Sequence, residues 1–408
     1  MAPRRAGRAA DPQRWGLLAL VTGAHGLGAV SVLAVAPLAP LLLQDLGLSR
    51  AQVGWFLPAI YLGGVVMSLP AGWLTDRVGA RLTLATGQCL TGVMVALAAW
   101  VGSIPLMLGL LFCAGLGWAV VNPATGRAIL DRFPLHERGL AMGVKQTGLT
   151  LGGVAGAVTL PSLALAHGWR TALTVAAMAS VAASVGVACC LRPGSAPRTA
   201  SPAEHPRLAE VGSFLAHPPF LVLLGCGLAL SVAQSSVLAY MALYARDALG
   251  MSVVGAGGLL ALAQAGGSGG RLGWGVVSDR LFGGRRRPGV IINAGIGGTI
   301  YLVFASGVPL AGPAAAGLAV VAGVGAFGWV GLYFALAAEV GGSRFAGLLT
   351  GVAGACAWSG VLLGPPLFGL LLQATGSYRW PWLGLALTAF GAAYALSRIP
   401  PLVKRDGA

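Results

Sequence analysis

The chain has 408 residues, of which 56% are hydrophobic and 9% charged, with a net charge of +15. A soluble domain carries about 25% charged residues, so this composition excludes an ordinary water-soluble enzyme or binding domain and points to a polytopic membrane protein. The cations fall mostly in short polar breaks between apolar runs, so membrane topology accounts for them and nucleic acid is not an expected partner.

In chain order, the basic stretch MAPRRAGRAADPQRW comes first. No short apolar region with an A-x-A cleavage site follows it, so residues 1–14 are expected to be an uncleaved cytoplasmic tail. A spanning helix needs about 20 mostly apolar residues. Twelve segments qualify, near 15–43, 51–75, 81–101, 104–131, 139–166, 169–191, 218–245, 252–278, 288–307, 311–338, 345–374 and 380–398. The predicted fold is an all-α membrane protein with twelve transmembrane helices. They form two six-helix bundles, 15–191 and 218–398, joined by a cytoplasmic linker at 192–217 and closed by a cytoplasmic tail at 399–408.

Charge counting agrees with this map. With the N-terminus inside, the inner segments hold 19 Lys/Arg and the outer ones four: Arg50, Arg170, Arg246 and Arg379. That is the positive-inside bias, and it puts both termini in the cytoplasm. Three cations, Arg127, Lys145 and Arg271, are left within helices. The six cysteines lie in apolar segments without metal-ligand spacing, so neither a disulfide framework, a metal site nor a cofactor is expected.

The halves repeat each other at an offset of 203 to 208 residues: SVLAVAPLAPLLLQDLGLS with SVLAYMALYARDALGMS, GWLTDRVGARL with GVVSDRLFGGRRR, and RGLAMGV with FAGLLTGV. A parallel repeat of two six-helix halves is an arrangement that places a transporter's substrate site between them, near mid-membrane.

These features resemble the major facilitator superfamily over the whole chain. Gly72, Asp76, Arg77, Gly79 and Arg81 match its G-x-x-x-D-R-x-G-x-R signature, and a degenerate copy stands at Gly275, Asp279, Arg280 and Arg285. DRFPLHERGLAMG resembles a segment of cyanate-permease-like organic-anion carriers. GRLGWGVVSDR resembles the eighth helix of monocarboxylate-type carriers, whose buried arginine, here Arg271, binds a substrate carboxylate. The Gly-Pro pair of antiporters reads Leu149-Thr150, so the antiporter pattern is not matched. The resemblance implies that the signature is an inner gate latch, with Asp131 and Glu339 as partners in the two halves. The alternative is a topology determinant with solvated charges, since exposed ion pairs contribute little.

Lys145 lies about 9 Å into the fifth segment at 1.5 Å per residue. Gly148, Gly152, Gly156 and Thr159 share its face, a close-packing surface that takes it away from lipid. Snorkelling, or pairing with Glu137 or Asp131, is the structural alternative. Arg271 lies roughly 12 Å from the inner end of the eighth segment, in a stripe with Gln264 and Ser268. The family fold would set these two helices against each other, so an anion is the missing partner expected for both cations. Arg127 shares a face with Asp131 and is expected to pair with it or dock to the signature loop. Trp118 and Asn122 are cavity candidates, as are the aromatic residues Tyr61, Tyr240, Tyr244, Tyr333 and Trp358. His25 is a candidate proton carrier, with a hydrogen-bonded structural histidine as the alternative.

The expected function is uptake of a small organic anion, a carboxylate, with a proton across a bacterial inner membrane by alternating access. The lipid bilayer is its surroundings and a monomer its expected state. Efflux of a drug or metabolite is the alternative. A serine hydrolase reading on GGSG (266–269) and HGLG (25–28) is remote, because Gly-rich helices match such patterns by chance. A non-transporting sensor is equally remote, so no enzyme is expected.

Overall fold

A computed structural model of the chain describes residues 13–134, 137–192, 217–308 and 312–399. The described residues form fifteen α-helices and no strand. In order they are α1 (Arg14–Leu33), α2 (Val35–Asp45), α3 (Arg50–Val53), α4 (Phe56–Val78), α5 (Ala80–Trp100), α6 (Ile104–Ala119), α7 (Val121–Arg132) and α8 (Arg138–His167). They continue as α9 (Trp169–Cys190), α10 (Pro218–Asp247), α11 (Val253–Arg280), α12 (Arg286–Ser306), α13 (Gly312–Phe327), α14 (Trp329–Thr375) and α15 (Arg379–Arg398).

Proline explains why several expected single segments appear as two helices. Proline cannot donate to the carbonyl four residues back, and its ring crowds that carbonyl. Pro37 stands four residues after Leu33, where α1 gives way to α2. Pro58 stands four after Gly54, between α3 and α4. Pro123 stands four after Ala119, where α6 gives way to α7. In the opposite sense, α14 runs unbroken for 47 residues through the break expected at 339–344. That stretch holds glycines but no proline, so every backbone donor stays available to the helix.

Ten helical stretches among the described residues are long and apolar enough to cross a membrane. The two other segments expected to span are α11 and α15, of 28 and 20 residues. Both have the length, about 42 Å and 30 Å at 1.5 Å per residue, but α11 carries Gln264, Ser268 and Arg271 among its glycines and α15 has charged ends. The tails and almost all of the linker expected at 192–217 lie outside the described residues.

The chain divides into two compact units. The first gathers the residues up to Ala34, Leu62–Gly156 and the stretch beginning at Arg170. The second gathers Val35–Tyr61, Ala157–Trp169 and the described residues after the linker. Core residues of the first include Leu84, Val121 and Val187, with a second cluster around Leu18, Ile129 and Phe133. The second is cored by Phe220, Leu223, Trp329, Leu332 and Leu349. Outward-facing Leu151, Leu272 and Leu387 are exposed, as apolar side chains on a lipid-facing surface are.

Candidate functional site: buried cations with little to pair with

Lys145 is buried, with 5% exposure. Its Nζ donates to Asn122 Oδ1 at 2.8 Å, so α7 supplies an amide where an acid might have stood. The two acids weighed as partners are engaged elsewhere. Glu137 Oε2 lies 2.9 Å from Arg14 Nε, and Asp131 Oδ1 lies 3.2 Å from Arg127 Nε. An ammonium has three donors, and the amide takes one.

The glycine face around Lys145 packs on α1 within the first unit. A Cβ on Gly148 would collide with the carbonyl of Thr22, and one on Gly152 with the carbonyl of Gly26. The two backbones approach as closely as small-residue seams allow. His25 lies on α1 beside this seam, fully buried. Its ring stands 5.4 Å from that of Trp118, tilted by 54°. Neither ring nitrogen meets a side-chain partner, and the backbone of Lys145 lies in reach of the ring. Lys145 is the charged residue that acts on it. So Lys145, Asn122, Trp118 and His25, chosen from three separate segments, come together in the first unit.

Gln88 was not anticipated. It is fully buried on α5, donates to the Ala24 carbonyl at 2.8 Å and is met by the Ser180 hydroxyl. It fastens α1 to α5 and α9 behind His25. A lone amide in the run TLATGQCLTG is the signal that could have found it.

Arg271 belongs to the second unit and is half-buried. Its Nε donates to the Phe327 carbonyl at 3.1 Å, at the end of α13. No carboxylate among the described residues pairs with it. Tyr61 shares its electrostatic environment, and Tyr61 packs edge-to-face on Trp358 with centroids 6.3 Å apart. Gln264 is buried one turn and more before Arg271, and Ser268 spends its hydroxyl on the Gln264 carbonyl at 3.1 Å.

Two of the tyrosine candidates lie in packed interior, fully buried. Tyr240 donates to the Arg50 carbonyl at 2.7 Å and stacks on Phe368 at 4.6 Å. Tyr333 donates to the Ala353 carbonyl at 3.1 Å. Tyr244 sits in a cage with Phe304, Tyr378 and Trp382. The geometry gives these three packing roles.

The signature residues form the same motif in each unit. In the first, Arg127 Nη1 lies 2.8 Å from Asp76 Oδ1 while its Nε holds Asp131. In the second, Arg286 Nη1 lies 2.6 Å from Asp279 Oδ1 and its Nε is 3.5 Å from Glu339 Oε1. In each unit one arginine thus bridges an acid in the last turn of α4 or α11 to a second acid, on α7 or α14. Gly79 takes φ +92° at the start of α5, a conformation that side chains resist. Arg77 lies over the Trp73 ring at 5.1 Å, and Arg81 donates to the Ala188 carbonyl. Gly72 and Gly275 have open space where a Cβ would go, and Arg280 is exposed. Asp131 and Glu339, expected as latch partners, therefore each serve the loop of their own unit. Among the described residues, no cluster of His, Cys, Asp and Glu could hold a metal ion.

Comparison with known proteins places this geometry. The family model for the Major Facilitator Superfamily matches residues 18–365. An uncharacterised transporter of that type from Mycobacterium tuberculosis is 30% identical over 373 residues, covering 90% of this chain and 81% of its own. A probable sulfoacetate transporter of Cupriavidus necator is 30% identical over 137 residues, 34% of this chain and 32% of its own. Among solved structures, an inward-facing bacterial homologue of the human lysosomal transporter Spinster aligns with a TM-score of 0.76 at 16% identity, covering 95% of this chain and 96% of that one. The chain is therefore an integral membrane protein, a transporter and not an enzyme, and it belongs to the Major Facilitator Superfamily.

Proposed function

We propose that the protein carries a small organic anion, a carboxylate, into a bacterial cell across the inner membrane together with a proton. It works by alternating access between two six-helix repeats, 15–191 and 218–398. In this reading α11 and α15 also cross the bilayer, which makes twelve spans and leaves both termini in the cytoplasm.

The observation that carries the reading is the state of Arg271. An intramembrane arginine is expensive, and it normally finds an acid or faces a substrate path. Here it has one backbone carbonyl on Nε and, among the described residues, no carboxylate. The planar fork that remains fits a carboxylate in a two-point contact. Lys145 of the first unit, with an amide in place of an acid, is a second cation suited to an anion. Asn122 orients the ammonium. The similarity to a probable sulfoacetate transporter supports an organic-anion cargo.

The test is thermal stabilisation of the purified protein by acetate, lactate, benzoate, oxalate and sulfoacetate, with Arg271→Ala and Lys145→Ala in parallel. A bound anion at 100 times its Kd stabilises by about 2.7 kcal/mol through mass action. A shift with one class of anion that disappears in both variants supports the reading. Shifts that persist in both variants overturn it. Stabilisation by lipophilic cations alone replaces it with efflux.

A further inference from the structure

Among the described residues of the first unit, His25 is a deeply buried titratable group with no side-chain partner on its ring. It is fully buried, neither Nδ1 nor Nε2 meets a side-chain partner, and the backbone of Lys145 lies in reach of the ring. The elements packed around it offer little that could compensate. From α5 comes the amide of Gln88, already bonded to the Ala24 carbonyl. From α6 comes the Trp118 ring. From α7 comes Asn122, which accepts from Lys145, while Arg127 and Asp131 on the same helix pair with each other. From α8 comes Lys145 itself, and Arg138 on that helix bonds the Phe133 carbonyl. From α9 come apolar residues of the core around Ala24. Arg81 on α5 is engaged by Ala188, the thiols of Cys89, Cys189 and Cys190 are exposed, and that of Cys113 is half-buried. Among the described residues no acid faces the imidazole, and the charged residue acting on it is Lys145.

This arrangement has a consequence for coupling. Two cations side by side in a sealed, weakly polar seam repel strongly, and nothing here compensates a second charge. An anion held by Lys145 changes that. It cancels the field of the ammonium and supplies a counter-charge for an imidazolium.

We propose, building on the anion reading above, that His25 is the coupling site and that Lys145 is its switch. An anion bound at Lys145 lets one imidazole nitrogen take a proton from water, and loss of either anion or proton expels the other. The two affinities are then linked by one factor, in both directions. A monoanion arriving with one proton adds no net charge, so its transport is electroneutral. His25 does not contact the substrate in this scheme; it senses the anion through the field of Lys145 and exchanges its proton with water.

The test is titration of the full-length protein in weakly buffered solution with acetate, lactate, benzoate, oxalate and sulfoacetate. A pH dye reports proton uptake and calorimetry reports binding. The wild type is expected to take up as much as one proton per anion, and to bind more tightly as pH falls. His25→Gln is expected to bind the same anion with no uptake and with affinity independent of pH. Lys145→Gln is expected to lose both. If His25→Gln fails to fold, His25→Asn serves, and the dependence of the wild-type heat on buffer ionisation reports the same proton. Uptake that persists without the histidine overturns the proposal, as does wild-type binding without uptake. If no anion binds the wild type, the anion reading falls first and this inference falls with it. Binding without uptake removes the inference alone.

Discussion

Arg50 Nη2 lies 3.0 Å from Asp247 Oδ2, which ties the first turn of α3 to the last turn of α10. The same oxygen accepts from Arg50 Nε at 3.2 Å and from the Tyr378 hydroxyl at 3.0 Å. Burial first, and Asp247 beside it second, push the Tyr378 phenol above its ordinary range. The phenol therefore remains a donor throughout neutral pH. Its contribution is lost only above the ordinary tyrosine value of about 10, where the unfolded chain gives up its proton and the folded chain does not.

The Arg50 side chain is 47% exposed, so screening limits what the pair contributes. Arg50→Gln is expected to lower stability by about 0.2–1 kcal/mol. The difference from wild type should shrink as salt is raised. Thermal unfolding at two ionic strengths measures it, and a salt-independent loss would mean that the side chain matters through packing and not through charge.

The two arginine–acid triads allow a direct comparison. Arg127 and Arg286 are equally shielded, at 23% side-chain exposure, but their acids are not. Asp131 is 19% exposed, whereas Glu339 is 40% exposed. Removing the arginine leaves two carboxylates near each other, and the cost rises with how poorly water reaches them. Arg127→Ala is expected to lower the melting temperature more than Arg286→Ala does. An equal or reversed order would show that solvent screening does not distinguish the two triads.

Much of this was legible in the sequence because membrane segments declare themselves by length and apolarity. Expected helix limits such as 139–166 and 104–131 fall within a residue of Arg138–His167 and of the combined α6 and α7. The glycine spacing after Lys145 correctly announced a tight seam, though not that α1 is the other side of it. The pairing of Arg127 with Asp131 followed from helical spacing alone. Arg50 with Asp247 is 197 residues apart, and Arg127 with Asp76 is 51 apart. Spacing along one helix carries no information about such pairs. The sequence could not say what Tyr240 and Tyr333 do for a related reason. An aromatic side chain serves packing and binding equally well, and only its partner decides between them. The hydroxyl of Tyr240 goes to the Arg50 carbonyl and that of Tyr333 to the Ala353 carbonyl.

That assignment makes its own prediction. Tyr240→Phe removes one buried hydrogen bond and leaves the ring stacked on Phe368. It is expected to cost about 0.5–1.5 kcal/mol of stability while leaving the KM for transport unchanged. Melting temperature and uptake kinetics in proteoliposomes read the two effects separately. A raised KM at wild-type stability would return Tyr240 to the substrate path.

Lys145→Met separates structure from function most sharply. Methionine keeps much of the length and apolar volume of lysine while removing the charge. Where a buried charge serves only packing, an apolar replacement of similar size is often neutral or stabilising by about 1–4 kcal/mol. Here the charge has one amide as its partner, so its removal strands little: Asn122 loses a donor but remains exposed to solvent. The variant is therefore expected to melt at or above the wild-type temperature and to bind no anion. The two readouts move in opposite directions only if the cation is kept for its cargo. A variant that melts well below wild type would instead assign Lys145 to holding α8 against α7, and the anion would then have to be held by Arg271 without it.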